Sequence, residues 1–335
     1  MKNTQNYEEH IMRKRKLGEL EVSSVGFGCM GLSHAYGNAV PVKEAVQRIR
    51  DAFDAGYTYF DTAECYLGTF ADGSPANNEL VVGEALRSVR DQVVIATKFG
   101  VQHGGDHLLM DSSPDTIRKS VDGSLKRLGI DCIDLYYQHR IDPKVEPETV
   151  AEVMSELMKA GKIRYWGISE TDESYLRRAN TVCKVTAIQN RYSMMARWHE
   201  NLFPVCEELN VGYVAFSPLA NGILSDAFRK GDTFDEGDFR NFMPQYTDKG
   251  HEESMALLHY LRELAEQKNA TPAQISLAWM ICKKPFIMPI PGTRKKERMQ
   301  ENASAADVIL TSEEVQTIDR KLENMKMSDV FGGHR

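Results

Sequence analysis

Short runs of β-branched and aromatic residues alternate with longer amphipathic stretches along nearly the whole chain, and this alternation constrains the fold most strongly. Strands that alternate with helices form a parallel sheet, and eight parallel strands are the number that closes into a barrel. The pattern therefore predicts an α/β fold, a (β/α)8 TIM barrel. The eight predicted strands cover residues 22–28, 58–63, 93–99, 132–139, 163–169, 185–190, 213–219 and 286–291.

The stretches between these runs carry the spacing and the end signals of helices. In residues 42–56, Ala45 and Ile49 recur at helical spacing, which predicts one buried face. Ser113–Pro114 and Thr271–Pro272 each place an N-cap residue before a proline suited to the first helical position. These signals support helices between the predicted strands.

The N-terminal segment RKRKLGELEVSS (residues 13–24) predicts a short β-hairpin with its turn at Leu17–Gly18, placed to plug the N-terminal end of the barrel. No low-complexity linker divides the chain. We therefore predict one barrel domain over residues 1–335, in which residues 1–12 are disordered or peripheral.

Composition excludes several classes of function. The net charge is −7, with 41 basic and 48 acidic residues interspersed, so we expect neither nucleic acid nor a membrane as partner. The N-terminus lacks an apolar signal core, and no run approaches membrane-spanning length. The six cysteines are scattered without a CxxC pair, which is typical of reduced thiols. A cytoplasmic protein is predicted, and its oligomeric state is left open.

A glycine motif offers an alternative fold. Gly26, Gly28 and Gly31 match the GxGxxG fingerprint of dinucleotide-binding folds and follow a predicted strand. In that fold the third glycine opens a helix, whereas here LSHAYGNAVP separates it from the next predicted helix. We therefore favour glycines that let a strand end close to a ligand or another backbone, and keep a doubly wound domain as the weaker alternative.

Four polar residues stand at or just beyond the ends of three successive predicted strands: Asp61, Tyr66, Lys98 and His139. Taken singly, each has an ordinary explanation as a cap, a solvated group or a packing residue. In a barrel, however, these strand ends share one sector of the face that carries active sites. A tyrosine next to a lysine held charged by a carboxylate would have a lowered pKa and donate a proton, while His139 orients a carbonyl oxygen. The set predicts carbonyl reduction.

A second candidate site follows the last predicted strand. Gly292–Thr293 leads into a short predicted helix, where barrels of this kind bind phosphate. Backbone amides there suit one phosphate, and Arg294 and Arg298 suit a second. Taken alone, the RKKER sequence is typical of a solvated basic helix face, but its position after the last predicted strand favours binding of a dinucleotide with an extra phosphate. The predicted cofactor is NADPH/NADP+.

The remaining strand ends also carry polar or aromatic groups. Gln189 suits a carboxamide and Phe216 suits stacking on a nicotinamide ring, although each signal is weak by itself. His103 and His107 lack a third ligand, so no metal site is predicted. Residues 224–251 form a polar segment after the seventh strand, predicted as a surface loop that is also placed to fold over cofactor. The candidate pocket-shaping residues, for which ordinary packing is an equal explanation, are Tyr36, Met194 and Trp198.

The chain resembles the aldo-keto reductase family from KLGELEVSSVGFGCMGLS to Asn302. The resemblance implies that Tyr66 is the general acid of a tetrad completed by Asp61, Lys98 and His139, acting on a small carbonyl substrate. The motif QHRIDP within it is similar to a bacterial and plant-like subgroup. The motifs that carry the resemblance are GYTYFDTAECY, ATKFG, YYQHRIDP, GKIRYWGIS, QNRYS, FSPLANGIL and PIPGTRKKERMQEN.

The resemblance also implies how each part of the cofactor is held. Ser169 and Gln189 would bind the nicotinamide carboxamide, and Phe216 would stack on the ring. Residues 217–222 would line the pyrophosphate path, and residues 292–302 would hold the 2′-phosphate end. The predicted cofactor-binding residues are Gly28, Met30, Ser169, Gln189, Phe216, Ser217, Leu219, Gly222, Gly292, Thr293, Arg294, Arg298, Glu301 and Asn302.

Two positions depart from the family pattern, and two other functions remain as alternatives. Glu170 stands where many members carry Asn, and Phe216 replaces a commoner Tyr. A cofactor-sensing binding subunit with weak turnover is one alternative, although the intact tetrad argues against it. A phosphosugar isomerase is the other, but it would lack the nicotinamide residues and would want a glutamate base.

Overall fold

The computed structural model describes residues 12–104 and 107–333. The predicted peripheral segment therefore lies outside the described residues, except for Met12, which is buried against the core. The strands in chain order are β1 (Lys14–Leu17), β2 (Leu20–Ser23), β3 (Phe27–Gly28), β4 (Tyr59–Asp61), β5 (Leu67–Thr69), β6 (Pro75–Asn77), β7 (Val94–Phe99), β8 (Val101–His103), β9 (Leu108–Met110), β10 (Ile133–Gln138), β11 (Ile163–Ser169), β12 (Ala187–Arg191), β13 (Gly212–Phe216) and β14 (Ile287–Pro289).

Helices pack around a sheet formed by eight of these strands. No helix in the described parts of the chain is long and apolar enough to cross a lipid bilayer. In chain order the helices are α1 (Val42–Asp54), α2 (Asn78–Leu86), α3 (Pro114–Leu128), α4 (Pro147–Lys159), α5 (Glu173–Val182), α6 (Phe203–Leu209), α7 (Asp248–Lys268), α8 (Pro272–Lys283), α9 (Lys296–Ala303) and α10 (Ser312–Glu323).

Eight parallel strands form the predicted barrel. Their order is β3-β4-β7-β10-β11-β12-β13-β14, so each pairs with the next along the chain. Backbone hydrogen bonds from Gly26 N to Pro289 O (2.9 Å) and from Gly28 N to Pro291 O (3.3 Å) join the first strand to the last. The (β/α)8 prediction is confirmed, and the doubly wound alternative is wrong.

The first predicted strand differs from the structure. Residues 22–28 were expected to form one strand, but β2 ends at Ser23 and the barrel strand β3 begins at Phe27. The chain turns between them because β2 belongs to the N-terminal hairpin, whose β1 and β2 pair antiparallel. Leu17 and Val22 of this hairpin pack with Tyr59 and Met288 in one apolar cluster, so the hairpin plugs the barrel end as predicted.

Gly28 of the GxGxxG motif allows close backbone packing, as favoured from the sequence. A Cβ on Gly28 would lie 2.9 Å from the carbonyl oxygen of Ile290, and one on Gly292 would lie 2.6 Å from that of Gly28. After β3 the chain forms a short 3-10 turn at Met30–Leu32, and α1 begins only at Val42. No helix N-terminus therefore follows the third glycine, as the dinucleotide-binding fingerprint requires.

Candidate active site

Three adjacent barrel strands bring the four predicted polar residues together. Asp61 is the last residue of β4, Lys98 the next to last of β7, and His139 directly follows β10. Tyr66 lies in the loop after β4 and reaches the same place. Because β4, β7 and β10 are neighbours in a parallel sheet, their C-terminal ends meet at one edge.

Lys98 is the centre of the cluster and is completely buried. Its Nζ donates to Asp61 Oδ1 at 2.5 Å, to the carbonyl oxygen of Thr62 at 2.8 Å and to Tyr66 Oη at 3.1 Å. An ammonium group has three donors, so each N–H of Lys98 has its own acceptor. Asp61 in turn accepts from Gln189 Nε2 at 2.8 Å through its other oxygen.

Burial and charge act against each other on the pKa values of this cluster. Desolvation works to lower the pKa of Lys98, but Asp61 and Tyr66 outweigh it and raise that pKa, so the amine is charged. Burial raises the pKa of Tyr66 to about 12, and the nearby Lys98 lowers it only in part. Lys98 therefore acts on the pKa of Tyr66 in the expected direction, but removal from water has the larger effect, so the net shift is upward.

His139 sits beside the phenol as a neutral imidazole. Burial, with Arg140 and Lys98 nearby, lowers its pKa well below the usual range. Its ring meets that of Tyr66 edge-on, with centroids 5.7 Å apart. Its Nδ1 lies 3.4 Å from Cys65 Sγ. A neutral histidine carries a proton on one nitrogen, so here it can donate one hydrogen bond without charge.

A buried amide supports the loop that carries Tyr66. Asn78 Nδ2 donates to Ser33 Oγ (2.7 Å) and to the carbonyl oxygen of Cys29 (3.0 Å), while its Oδ1 accepts from Thr62 Oγ1 (2.7 Å). Ser33 Oγ donates to the carbonyl oxygen of Tyr66 at 3.1 Å. Sequence reasoning missed this network.

The residues predicted to hold a carboxamide lie next to the tetrad. Gln189 is buried on β12, and its amide nitrogen is already engaged with Asp61. Ser169 is buried at the end of β11, and its hydroxyl accepts from Arg140 Nη1 at 3.1 Å. Arg140 also donates to the carbonyl oxygen of His139 at 2.6 Å. The sequence analysis missed Arg140, although it directly follows His139.

Two cations lie close to the ring of Phe216. The guanidinium carbons of Arg191 and Arg140 lie 5.0 Å and 5.8 Å from the ring centroid. Glu170, the departure from the family pattern, has a left-handed backbone with φ +53°, and its Oε1 accepts from Arg191 N at 3.0 Å. Its carboxylate therefore holds the turn after β11.

The turn after β13 has an unusual backbone. Ser217, Ala220 and Asn221 all have positive φ values, as does Gly222 at +110°. A 3-10 turn at Ala220–Ser225 follows the predicted pyrophosphate residue Leu219. Left-handed conformations cost energy in non-glycine residues and cluster at functional sites.

The segment after β14 begins at the predicted place. Residues 290–295 lead into α9, next to the end of β3. Arg294 Nε donates to the carbonyl oxygen of Gly31 at 2.6 Å, and Arg298 pairs with Glu301 at 3.0 Å. Within the described residues, Arg294 Nη2 and Asn302 Oδ1 are buried without a hydrogen-bond partner. Thr293 Oγ1 accepts from Lys295 N at 3.1 Å.

Met30 and the long segment after β13 complete the rim. Met30 packs against a small cluster that contains Tyr66 and Cys65. The segment of residues 224–251 crosses to the loop after β3, where Phe239 N donates to the carbonyl oxygen of Ala35 at 2.9 Å. It therefore does more than cover surface, since it joins two loops on the tetrad side of the barrel. Within residues 12–104 and 107–333, no group of three or more His, Cys, Asp or Glu could hold a metal ion.

Comparison with known proteins identifies the family. A family model described as "Aldo/keto reductase family" matches residues 24–323. The chain belongs to the aldo/keto reductase family. It is accordingly an oxidoreductase of the carbonyl-reducing class, and the resemblance read from its motifs is confirmed. The narrower assignment to a QHRxDP subgroup stays a prediction.

Solved structures of bacterial aldo-keto reductases share the fold. A glycerol dehydrogenase from Gluconobacter oxydans is 26% identical, with a TM-score of 0.80 over 93% of this chain and 95% of that one. An aldo-keto reductase from Bacillus halodurans, in its holo form, is 29% identical, with a TM-score of 0.74 over 93% and 96%. One from Klebsiella pneumoniae, in complex with NADP and acetate, is 28% identical, with a TM-score of 0.69 over 93% and 96%.

Proposed function

We propose that this protein reduces aldehydes or ketones to alcohols with NADPH, reversibly, and that Tyr66 supplies the proton. The observation that carries the proposal is the buried hydrogen-bond chain from Asp61 through Lys98 Nζ to Tyr66 Oη, with distances of 2.5 and 3.1 Å. A phenol joined to a charged ammonium is suited to give up a proton and leave a stabilised phenolate.

Each member of the tetrad has a separate task in this proposal. Tyr66 transfers its phenolic proton to the carbonyl oxygen of the substrate. Lys98 stabilises the phenolate that remains, and Asp61 keeps Lys98 charged in its buried position. His139, neutral because burial lowers its pKa, donates a hydrogen bond that orients the carbonyl oxygen. When bound, NADPH supplies the hydride for the carbonyl carbon.

The residues around the tetrad fit a nicotinamide dinucleotide with a 2′-phosphate. Phe216 ends the strand next to that of Gln189, and Gln189 pairs with Ser169; the polar groups of Ser169 and Gln189 suit a carboxamide. At the other end, the buried and unpartnered Nη2 of Arg294 is a donor that suits a phosphate oxygen, and the buried and unpartnered Oδ1 of Asn302 is an acceptor that suits a hydroxyl or amine of the adenosine. The aldo-keto reductases from Klebsiella pneumoniae in complex with NADP and NADPH support this assignment.

Replacement of Tyr66 by phenylalanine tests the proposed acid. Tyr66→Phe removes the phenolic proton and keeps the ring, so we expect carbonyl reduction to fall by about 10²- to 10⁴-fold while NADPH binding is retained. Consumption of NADPH, followed with a panel of aldehydes, ketones, quinones and sugars, measures turnover. Binding is measured by titration of protein fluorescence with NADPH.

The same experiment separates the proposal from its alternative. Substantial residual reduction by Tyr66→Phe would remove Tyr66 from the role of acid. If the unsubstituted protein binds NADPH tightly but reduces no member of the panel, a cofactor-sensing subunit becomes the better assignment. Tyr260→Phe is a suitable control, because Tyr260 lies on α7 outside the tetrad and should leave turnover unchanged.

A further inference from the structure

Cys65 makes a contact with the tetrad that the proposed mechanism does not use. It directly precedes Tyr66 in the chain, and its Sγ lies 3.4 Å from His139 Nδ1. Cys65 and His139 are only 6% and 8% exposed. At this distance a sulfur and a nitrogen form a hydrogen bond, and burial leaves little water to compete with it.

The chemistry of the two groups decides which of them donates. Burial raises the pKa of the Cys65 thiol to about 12, so sulfur keeps its proton at neutral pH. His139 is neutral, since burial and the charges of Arg140 and Lys98 lower its pKa. A neutral imidazole nitrogen is a good acceptor, whereas a thiol sulfur is a weak one. The better bond is therefore S–H donating to Nδ1.

We propose that Cys65 is a positioning residue, whose thiol donates to His139 Nδ1 and so fixes the proton of that histidine on Nε2. This inference rests on the proposed function, because it assigns to Nε2–H the hydrogen bond that orients the substrate carbonyl. With the other tautomer, Nε2 would present a lone pair to the carbonyl oxygen, and the two would repel each other. Cys65 thus acts through His139 and does not contact substrate.

The tautomer of His139 can be measured directly, without an activity assay. In protein labelled with ¹⁵N-histidine, the chemical shifts of the two ring nitrogens show which one carries the proton. The chain has nine histidines, so His139→Asn identifies the signals of His139 by their loss. We expect the unsubstituted protein at neutral pH to show a protonated Nε2 and an unprotonated Nδ1. A protonated Nδ1 would overturn the proposal.

Three cysteine variants then test the role of the thiol in catalysis. Cys65→Ser keeps a donor and should retain the Nε2–H tautomer and most of kcat. Cys65→Val removes the donor and fills the site with a slightly larger apolar group, so the His139 signals should shift and kcat should fall about threefold to tenfold, as for one lost weak hydrogen bond. Cys206→Val, at another buried cysteine, should change neither.

The readouts distinguish a positioning role from packing and from failure of the proposed function. NADPH affinity should stay the same in all three variants, because Cys65 is assigned no cofactor contact. Cys65→Val with unshifted His139 signals and full kcat would overturn the proposal, as would equal losses in Cys65→Ser and Cys65→Val. If Tyr66→Phe retained turnover, the proposed acid would fail, while the tautomer measurement would still report on Cys65 and His139.

Discussion

Burial is the factor that makes the individual residues of this site unusual. An unpaired ammonium in an apolar interior costs several kcal/mol, so Lys98 is tolerable only because Asp61, Thr62 and Tyr66 occupy its three donors. The same burial raises the pKa of Tyr66 to about 12. The phenol consequently keeps its proton below that pH, which is the state that carbonyl reduction needs.

The two arginines of the proposed 2′-phosphate site should contribute more to the binding of NADPH than to that of NADH. Arg298→Ala should weaken NADPH binding by about tenfold or more, because a charge-assisted hydrogen bond is lost, and should leave NADH binding nearly unchanged. Arg294→Ala should weaken NADPH binding similarly, with an added loss for both cofactors, since Arg294 also holds the carbonyl oxygen of Gly31.

Cofactor titrations followed by fluorescence measure both dissociation constants. Arg320→Ala, at an exposed arginine of α10, serves as control and should alter neither. Equal weakening of NADPH and NADH by Arg298→Ala would show that the 2′-phosphate is held elsewhere.

The N-terminal ends of two helices show how local hydrogen bonds help to set where a helix begins. Thr271 forms a capping box at the start of α8, where its hydroxyl accepts from Gln274 N and Gln274 Oε1 accepts from Thr271 N. Ser113 precedes Pro114 in the same sequence pattern, yet its side chain makes no capping hydrogen bond. The sequence pattern located the start of both helices, but only the Thr271 hydroxyl forms a capping hydrogen bond.

This difference predicts unequal effects on stability. Thr271→Ala should lower the free energy of unfolding by about 1 kcal/mol, because the backbone amide of Gln274 loses its acceptor. Ser113→Ala should lower it by much less, since no capping bond is lost. Urea unfolding followed by circular dichroism measures both; a cost for Ser113→Ala as large as that for Thr271→Ala would contradict the assignment of the cap.

The two ends of the barrel have different tasks in the whole molecule. At one end the hairpin of β1 and β2 closes the interior with Leu17, Leu20 and Val22. At the other end the strand termini carry the tetrad, and the segment after β13 reaches the loop after β3. Stability and chemistry are thus placed at opposite ends, as is usual for this architecture.

A substitution in the hairpin should therefore change stability without changing chemistry. Leu17 is fully buried, so Leu17→Ala should lower the free energy of unfolding by about 2–4 kcal/mol through lost burial and a cavity. Below the unfolding temperature, kcat should remain unchanged. Ile309→Ala, at a side chain that is 56% exposed, is the matched control and should cost little. A fall in kcat with Leu17→Ala would show that the two ends are coupled.

The order of elements and the type of site could be predicted from the amino-acid sequence alone. Alternating runs predicted the eight-stranded barrel, and polar residues at three strand ends predicted the tetrad, because strand ends of a parallel barrel share one face. Its errors were local: residues 22–28 hold parts of two strands, since Ser23 ends the hairpin and Phe27 begins the barrel. The spacing of apolar residues indicates which faces of the elements are buried, but it does not indicate where the backbone bends between two sheets.

The pKa values and hydrogen-bond partners of the site residues could not be predicted in this way, because they depend on tertiary packing. The pKa of Tyr66 is raised because the side chain is buried, and this burial comes from the packing of segments that are distant in the chain. The contacts of Asn78 with Ser33, of Arg140 with Ser169 and of Cys65 with His139 join residues 29 to 74 positions apart. Hydrogen bonds between such residues leave no periodic signal in a single sequence, because each requires the closed barrel to bring its partners together.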